Sequence, residues 1–204
     1  MTINNTSKVS TDVRRAQIAD ATLRLIAAKG VSALTTASIA REVGISEANI
    51  YRHFASKAEI LQVTVERVGE GMKRNMENVL KMSISDSPLK QLKRAFMLHL
   101  DYIEKNEGIP RLVYSEEIHV NNEILKDRLL CSINEYTVSL DAIIKNGQKI
   151  GQIKKGIDSR GAALTLIGMI QVTVLRWSLS GFSFPLVTEG MKLWDNYEKC
   201  IKMG

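Results

Sequence analysis

Between Thr35 and Lys57 the chain sets two short apolar-periodic segments on either side of one glycine, Gly44. Two helices joined this tightly must cross each other, and that leaves few folds open. In the first segment Thr35 and Thr36 are N-cap candidates, and Ile39, Ala40 and Val43 fall on one face. Gly44 follows the last apolar position, where a left-handed residue ends a helix at no steric cost. Ser46 can cap the next segment, Glu47 puts a negative charge in its first turn, and Ile50 and Phe54 are spaced to point inward. Glu47, Ala48, Asn49, Tyr51, Arg52 and His53 remain on or near the outward side. The pattern predicts a second helix of about eight residues, roughly 12 Å long, a size that fits a DNA major groove. Ser56 and Glu59 have capping-box spacing and predict a further helix at once.

The charge distribution agrees with that reading. The net charge is +6, and residues 1–57 hold eight Lys and Arg against four acids, so +4 sits in little more than a quarter of the chain. A basic N-terminal module on a nearly balanced body is what a DNA-binding head requires. Hydrophobic residues at 45% and charged ones at 25% exclude a disordered chain. Cys131 and Cys200 are unclustered and read as reduced, buried or half-buried thiols of the cytosol. The N-terminus is polar, without the apolar core of a signal peptide. The longest uncharged run, Gly161 to Leu175, is 15 residues, and a membrane span needs about 20. A cytoplasmic protein without a membrane partner is expected.

Helical periodicity recurs along the rest of the chain, and strand alternation does not persist, so the fold class is all-α. Residues 1–10 read as a disordered polar tail, 11–57 as the helix-turn-helix domain and 58–204 as a helical ligand-binding and dimerisation body. A first helix is predicted from about Thr11 to Lys29, ended by Gly30. A helix capped by Ser56 should run to about Met82 and link head to body. Ser83 to Pro88 is the clearest break, with Pro88 suited to a first helical turn. Further helices are expected from Pro88 to about Asn106, stopping at Gly108, then from Pro110 to about His119 and from Glu123 to about Asn146. Gly147, Gly151 and Gly156 punctuate a turn. Asp158 or Ser159 caps a helix to about Ser180, and a last one covers about Val187 to Lys202. The helix over Arg160–Ser180 is apolar nearly all round and must be covered on more than one side.

Thr35-Thr36, Ile39-Ala40, Val43-Gly44-Ile45-Ser46, Tyr51-Arg52-His53-Phe54 and Ser56-Lys57 together resemble the TetR family of bacterial transcriptional regulators, densely over residues 14–61. The chain departs from the common pattern at Ala48-Asn49-Ile50-Tyr51, where many members carry Gly-Thr or Pro-Thr before Leu-Tyr. Alanine suits a helix better than glycine, so the departure touches the operator sequence and not the fold. The resemblance implies phosphate contacts at Thr36, Tyr51 and Lys57, and base contacts at Glu47, Ala48, Asn49, Arg52 and His53. Thr35, Ser38 and Ser46 complete the implied DNA-facing set. The chemistry agrees: arginine pairs with guanine, asparagine with adenine, and an alanine methyl meets thymine. The plainer alternative has Tyr51 and His53 only packing against the first helix, with Arg52 solvated.

Gly168 to Gly181, with Trp194, also resembles the C-terminal part of some TetR-type regulators, in which the last two long helices form a four-helix dimer interface. A homodimer on a palindromic double-stranded operator is independently expected, because one short helix reads too few base pairs. The family implies a small-molecule effector in the body. Candidates are polar or aromatic side chains among apolar neighbours: His99, Tyr102, Tyr114, His119, Tyr136, Gln171, Arg176 and Trp177, with Met72, Met76, Met97 and Met169 as adaptable lining. For each, a satisfied core or surface position is the commoner role. No phosphate-binding loop, Ser/His/Asp order or zinc signature occurs. Neither an enzyme nor a cofactor or metal is expected; a site from His99, His119 and Glu116 or Glu117 has no diagnostic spacing. A ligand-responsive repressor is the leading reading. The alternative is a DNA-bound scaffold of the same fold that recruits a protein partner, as a nucleoid-associated division inhibitor does.

Overall fold

The computed structural model describes residues 10–82 and 87–203. Residues 1–9 of the expected tail and residues 83–86 of the expected break lie outside the described residues. Among the described residues ten helices follow one another: α1 Thr11–Lys29, α2 Thr36–Val43, α3 Glu47–Ile50, α4 Lys57–Met82, α5 Pro88–Glu104, α6 Gly108–Val113, α7 Glu116–His119, α8 Glu123–Lys149, α9 Ser159–Leu179 and α10 Leu186–Ile201. Among the described residues the only β pairing is an isolated bridge between Ile153 and Lys202.

Local chemistry accounts for most helix ends. Ser10 accepts from Val13 N–H at 3.3 Å and opens α1. Thr35 and Ser38 cap α2 reciprocally, each hydroxyl accepting from the other residue's N–H at 3.0 Å. Gly44 ends α2 at φ 76°, ψ 34°, the left-handed conformation the sequence calls for. Ser87 caps α5 with Pro88 in its first turn, and Asp158 accepts from Gly161 N–H at 2.7 Å to open α9.

Five expectations are corrected. The second helix of the helix-turn-helix is one turn, not about eight residues. After Ile50 the chain tightens: Arg52 N–H and His53 N–H donate three residues back, to Asn49 at 3.3 Å and Ile50 at 2.9 Å. The tightening brings Phe54 into the core, 2% exposed, under the Arg15 guanidinium 4.2 Å above its ring. The expected stop at Gly108 is instead the first residue of α6, and the stretch to His119 is split at Tyr114–Ser115 into α6 and α7. Gly147 lies inside α8, where a Cβ would come 2.5 Å from Ile153, so it serves a close packing and not a turn. Both cysteines are exposed, because Cys131 and Cys200 fall on the outward faces of α8 and α10.

The core runs unbroken from head to body. In the head Ile18 and Ile26 of α1 meet Ile39, Ile50, Phe54, Ile60 and Leu61, all 2% exposed or less. In the body Leu92, Phe96 and Leu100 of α5 pack with Leu140, Leu166 and Trp194, each completely buried. α4 passes continuously from one to the other, tied to α1 by the two-pronged pair of Arg67 with Asp20 at 2.6 and 2.9 Å. That pair is half exposed, and such pairs contribute about 0–1 kcal/mol. The closer tie is α6 on α1. Gly108 lies so near the Leu23 carbonyl that a Cβ there would stand 2.1 Å from its oxygen, and Arg111 donates to the Ala27 carbonyl.

Where α3 gives way to α4, Arg15 donates to the His53 carbonyl and to Glu59 at 2.9 Å. Ser56 accepts from Glu59 N–H at 3.2 Å, as a capping box requires. The Glu59 carboxylate, however, takes Ala55 N–H at 2.7 Å, one residue before the cap. The Ala55 N–H and Arg15 bonds hold the Glu59 carboxyl below its ordinary pKa.

Two outcomes follow from these contacts. Gly108→Ala forces backbone apart at the head–body junction and lowers unfolding free energy by about 1–3 kcal/mol in urea titrations; an unchanged midpoint contradicts the close approach. Glu59 has a depressed folded pKa, so its stabilisation is complete above the ordinary glutamate range and fades as pH falls through the depressed value. Glu59→Gln should therefore cost stability at neutral pH and lose less on acidification than the parent, read from melting temperature against pH.

Candidate nucleic-acid interface and body cavity

Along α2, α3 and the turn that leads into α4, Thr35, Ser46, Glu47, Ala48, Tyr51 and Arg52 are exposed, and Thr36, Ser38, Asn49, His53 and Lys57 are half-buried. The expected DNA-facing residues therefore lie on adjoining elements, but their chemistry divides. The Thr35, Ser38 and Ser46 hydroxyls already cap helices; Ser46 accepts from Asn49 N–H at 3.2 Å. Thr36, at the start of α2, donates to Glu47 and lies 3.3 Å from the Tyr51 hydroxyl. This cluster pins α3 across the first turn of α2. The side chains of Asn49, Arg52 and Lys57 make no hydrogen bond or ion pair among the described residues, which leaves them available to bases and phosphates. His53 is drawn inward, and its Nδ1 is buried without a partner.

Arg15 was not visible as a site residue in the sequence. It holds the backbone immediately after the outward-facing side chains through His53, Phe54 and Glu59. A basic residue on the α1 face, opposite a Ser-x-x-Glu cap, is the signal that could have found it.

The body holds a half-open cavity of about 660 Å³ between α4, α5, α6, α7, α8 and α9. Its walls are mainly apolar: Val65, Met72 and Met76 from α4, Ile103 from α5, Ile109 and Leu112 from α6, and Ile167, Ile170 and Val174 from α9. Of the expected ligand residues, His99, Tyr114, Tyr136 and Gln171 line it. Tyr102, His119, Arg176 and Trp177 do not. Tyr102 sets its hydroxyl against Gly71, where a Cβ would lie 2.3 Å away. His119 pairs a ring nitrogen with the Val113 carbonyl at 2.9 Å. Trp177 is 2% exposed, with its ring 4.7 Å from that of Phe182, and Arg176 points to solvent. Met97 and Met169 also lie off the lining.

Burial sets the protonation of the aromatic polar groups. It drives the His99 pKa down to about 4, so the ring is neutral at physiological pH. Burial also raises the Tyr114 and Tyr136 pKa values, so both remain phenols. Their hydroxyls make long bonds, Tyr114 to the Gln171 carbonyl at 3.3 Å and Tyr136 to the Ala95 carbonyl at 3.4 Å. The two cations of the lining, Lys73 and Arg128, are exposed at its edge, and Arg128 is paired with Glu66 at 2.5 Å. Exposed Cys131 stands on the same edge. Among the described residues no three His, Cys, Asp or Glu side chains gather as metal ligands.

Residues 18–64 match the family model described as bacterial regulatory proteins, tetR family, and residues 64–196 match that of the YsiA-like protein C-terminal region. The nucleoid occlusion factor SlmA of Vibrio cholerae is 28% identical over 191 residues, covering 93% of this chain and 96% of the relative. The fatty acid metabolism regulator protein of Bacillus subtilis is 26% identical over 172 residues, covering 84% and 87%. Among solved structures, a TetR transcription regulator from Haloarcula marismortui superposes with a TM-score of 0.81 at 19% identity, covering 94% of this chain and all of the other. FadR from Bacillus subtilis in complex with stearoyl-CoA superposes with a TM-score of 0.74 at 24% identity, covering 89% and 96%. With a helix-turn-helix head, a helical body and family models that match both, the chain belongs to the TetR family and is a DNA-binding transcriptional regulator.

Proposed function

We propose that the chain is a ligand-responsive repressor that binds a palindromic operator as a homodimer and leaves it when an apolar or amphipathic effector fills the body cavity. The observation that carries this reading is the position of α6. Ile109 and Leu112 form part of the cavity wall, while Gly108 and Arg111 of the same short helix are fastened to the α1 backbone. A ligand that displaces α6 therefore displaces α1 and the head built on it. By linkage, an effector that disfavours the DNA-bound arrangement is itself bound less tightly by the DNA complex. The Bacillus subtilis relatives, one named for fatty acid metabolism and one holding stearoyl-CoA, support a long-chain lipid as the class of effector. The division at residue 57 is one of role, since α4 begins there and its Ile60 and Leu61 still belong to the core of the head.

The dimer is supported by α9. It is long and apolar enough to cross a membrane by length and composition, yet it is built into the body and less than half buried there. Leu164, Val172, Leu175 and Leu179 are 49%, 50%, 39% and 79% exposed and lie in a stripe with Gly168 between them. A continuous apolar stripe of this kind calls for a second surface, and a copy of α9 with its neighbour α10 provides one. Two heads related by a two-fold axis then meet successive major grooves.

On the operator, Arg52→Ala should cost roughly 1–3 kcal/mol and relax selection at one base position, whereas Lys57→Ala should weaken all sequences alike and flatten the salt dependence. Fluorescence anisotropy on specific and random duplexes separates the two; equal loss on both for Arg52→Ala refutes its base-reading role. A second reading, a DNA-bound scaffold for a protein partner, is favoured by the relatives named as nucleoid occlusion factors. Genome-wide binding of the tagged protein, with and without long-chain lipids, decides between them. The repressor should occupy a few promoters and leave them when lipid is supplied. Many dispersed sites indifferent to lipid would sink it and favour the scaffold.

A further inference from the structure

The cavity keeps one polar point that the protein leaves unanswered. His99 lines it from α5, makes no hydrogen bond with any described residue, and has its Nδ1 sealed from solvent. Its specific contact is an edge-on packing with the Tyr136 ring, centroids 5.0 Å apart at 77°. The neutral ring offers one N–H donor and one acceptor. The Tyr136 hydroxyl beside it holds the Ala95 carbonyl at only 3.4 Å. A buried ring nitrogen left unpaired destabilises the protein that carries it, so a leucine here would suit the empty fold better.

The surroundings decide what can answer His99. A carboxylate or phosphate at this depth would be desolvated without a counter-charge, because Lys73 and Arg128 are at the exposed edge and Arg128 is already paired with Glu66. A plain hydrocarbon would leave the imidazole unpaired. A carbonyl or hydroxyl oxygen supplies a hydrogen bond without bringing a charge.

We infer that His99, with Tyr136 beside it, is the specificity-determining residue of the cavity, and that the effector is a lipophile carrying an uncharged carbonyl or hydroxyl oxygen on the part that reaches it. This rests on the ligand-responsive reading above. The bond adds selectivity because a site built to pair an oxygen discriminates against the analogue that lacks it.

The test compares stearate with stearates bearing a single hydroxyl or keto oxygen at successive mid-chain positions. Their affinities for the full chain are measured by calorimetry, and release of bound DNA is measured in parallel. At least one oxygenated chain should bind about tenfold more tightly than stearate. The advantage should vanish in His99→Leu and persist in His99→Gln, which keeps a donor and an acceptor. Stearate should bind His99→Leu at least as tightly as the parent, which also shows that the variant is folded with its cavity intact. The inference is overturned if every oxygenated chain binds no better than stearate, or if the advantage survives in His99→Leu; the ligand-responsive reading then still stands. If no chain binds and none releases DNA, that reading fails and takes the inference with it.

Discussion

The structure depends on the place where α6 meets α1 without a side chain between them. At Gly108 the two backbones are so close that even a methyl group would strike the Leu23 carbonyl. α1 is therefore shared: Ile18 and Ile26 belong to the core of the head, while the Leu23 and Ala27 carbonyls receive the body. A helix held on both sides cannot move for one neighbour without moving for the other. Interiors packed to crystal-like density transmit such displacements instead of absorbing them. Arg111 extends the junction, since its guanidinium also lies 4.9 Å above the Phe182 ring in the connection between α9 and α10. The connection between α9 and α10 and the helix that begins the head thus touch the same arginine.

Within the head, hydroxyls and charges are used twice over. Thr35, Ser38 and Ser46 hold helix starts that cost more to leave uncapped than any single surface contact returns. Thr36 and Glu47 pin a one-turn helix that would not persist alone, since the first turn of any helix is its unfavourable part. The side chains left without partners among the described residues, Asn49, Arg52 and Lys57, carry donors that suit base edges and phosphates. Division of labour, more than exposure, separates the side chains that hold this region together from those left open to a ligand.

Much of this was legible in the sequence, and the exceptions share a cause. α1, α2, α4 and α5 follow from caps, glycine or proline positions and apolar period, all of which are local. The one-turn α3 was not legible, because its ending is dictated by Phe54 turning inward beneath Arg15 from a helix about forty residues earlier in the chain. Gly108 and Gly147 read as stops for the same reason: their absent side chains serve tertiary approach, and local pattern cannot distinguish that use from a turn. In the body, the sequence marks polar residues among apolar ones but not which way they face. His99 and His119 look alike in that respect, yet one lines the cavity and the other is paired with the Val113 carbonyl.

That contrast bears on why the cavity persists at all. Filling it with larger side chains would stabilise the fold, since empty apolar volume forfeits contacts on every wall. The protein instead keeps about 660 Å³ open and places a neutral, unpaired imidazole on its wall. Both features disfavour the empty state, and both are relieved by one kind of occupant. Free energy withheld from the empty body is available to whatever binds there, and the walls include both α4, which continues into the head, and α6, which is fastened to α1. Ile109 and Leu112 of α6, which line the cavity, follow the glycine that touches α1 in the same short helix. Stability given up in the body is in this way coupled through α4 and α6 to the position of the head.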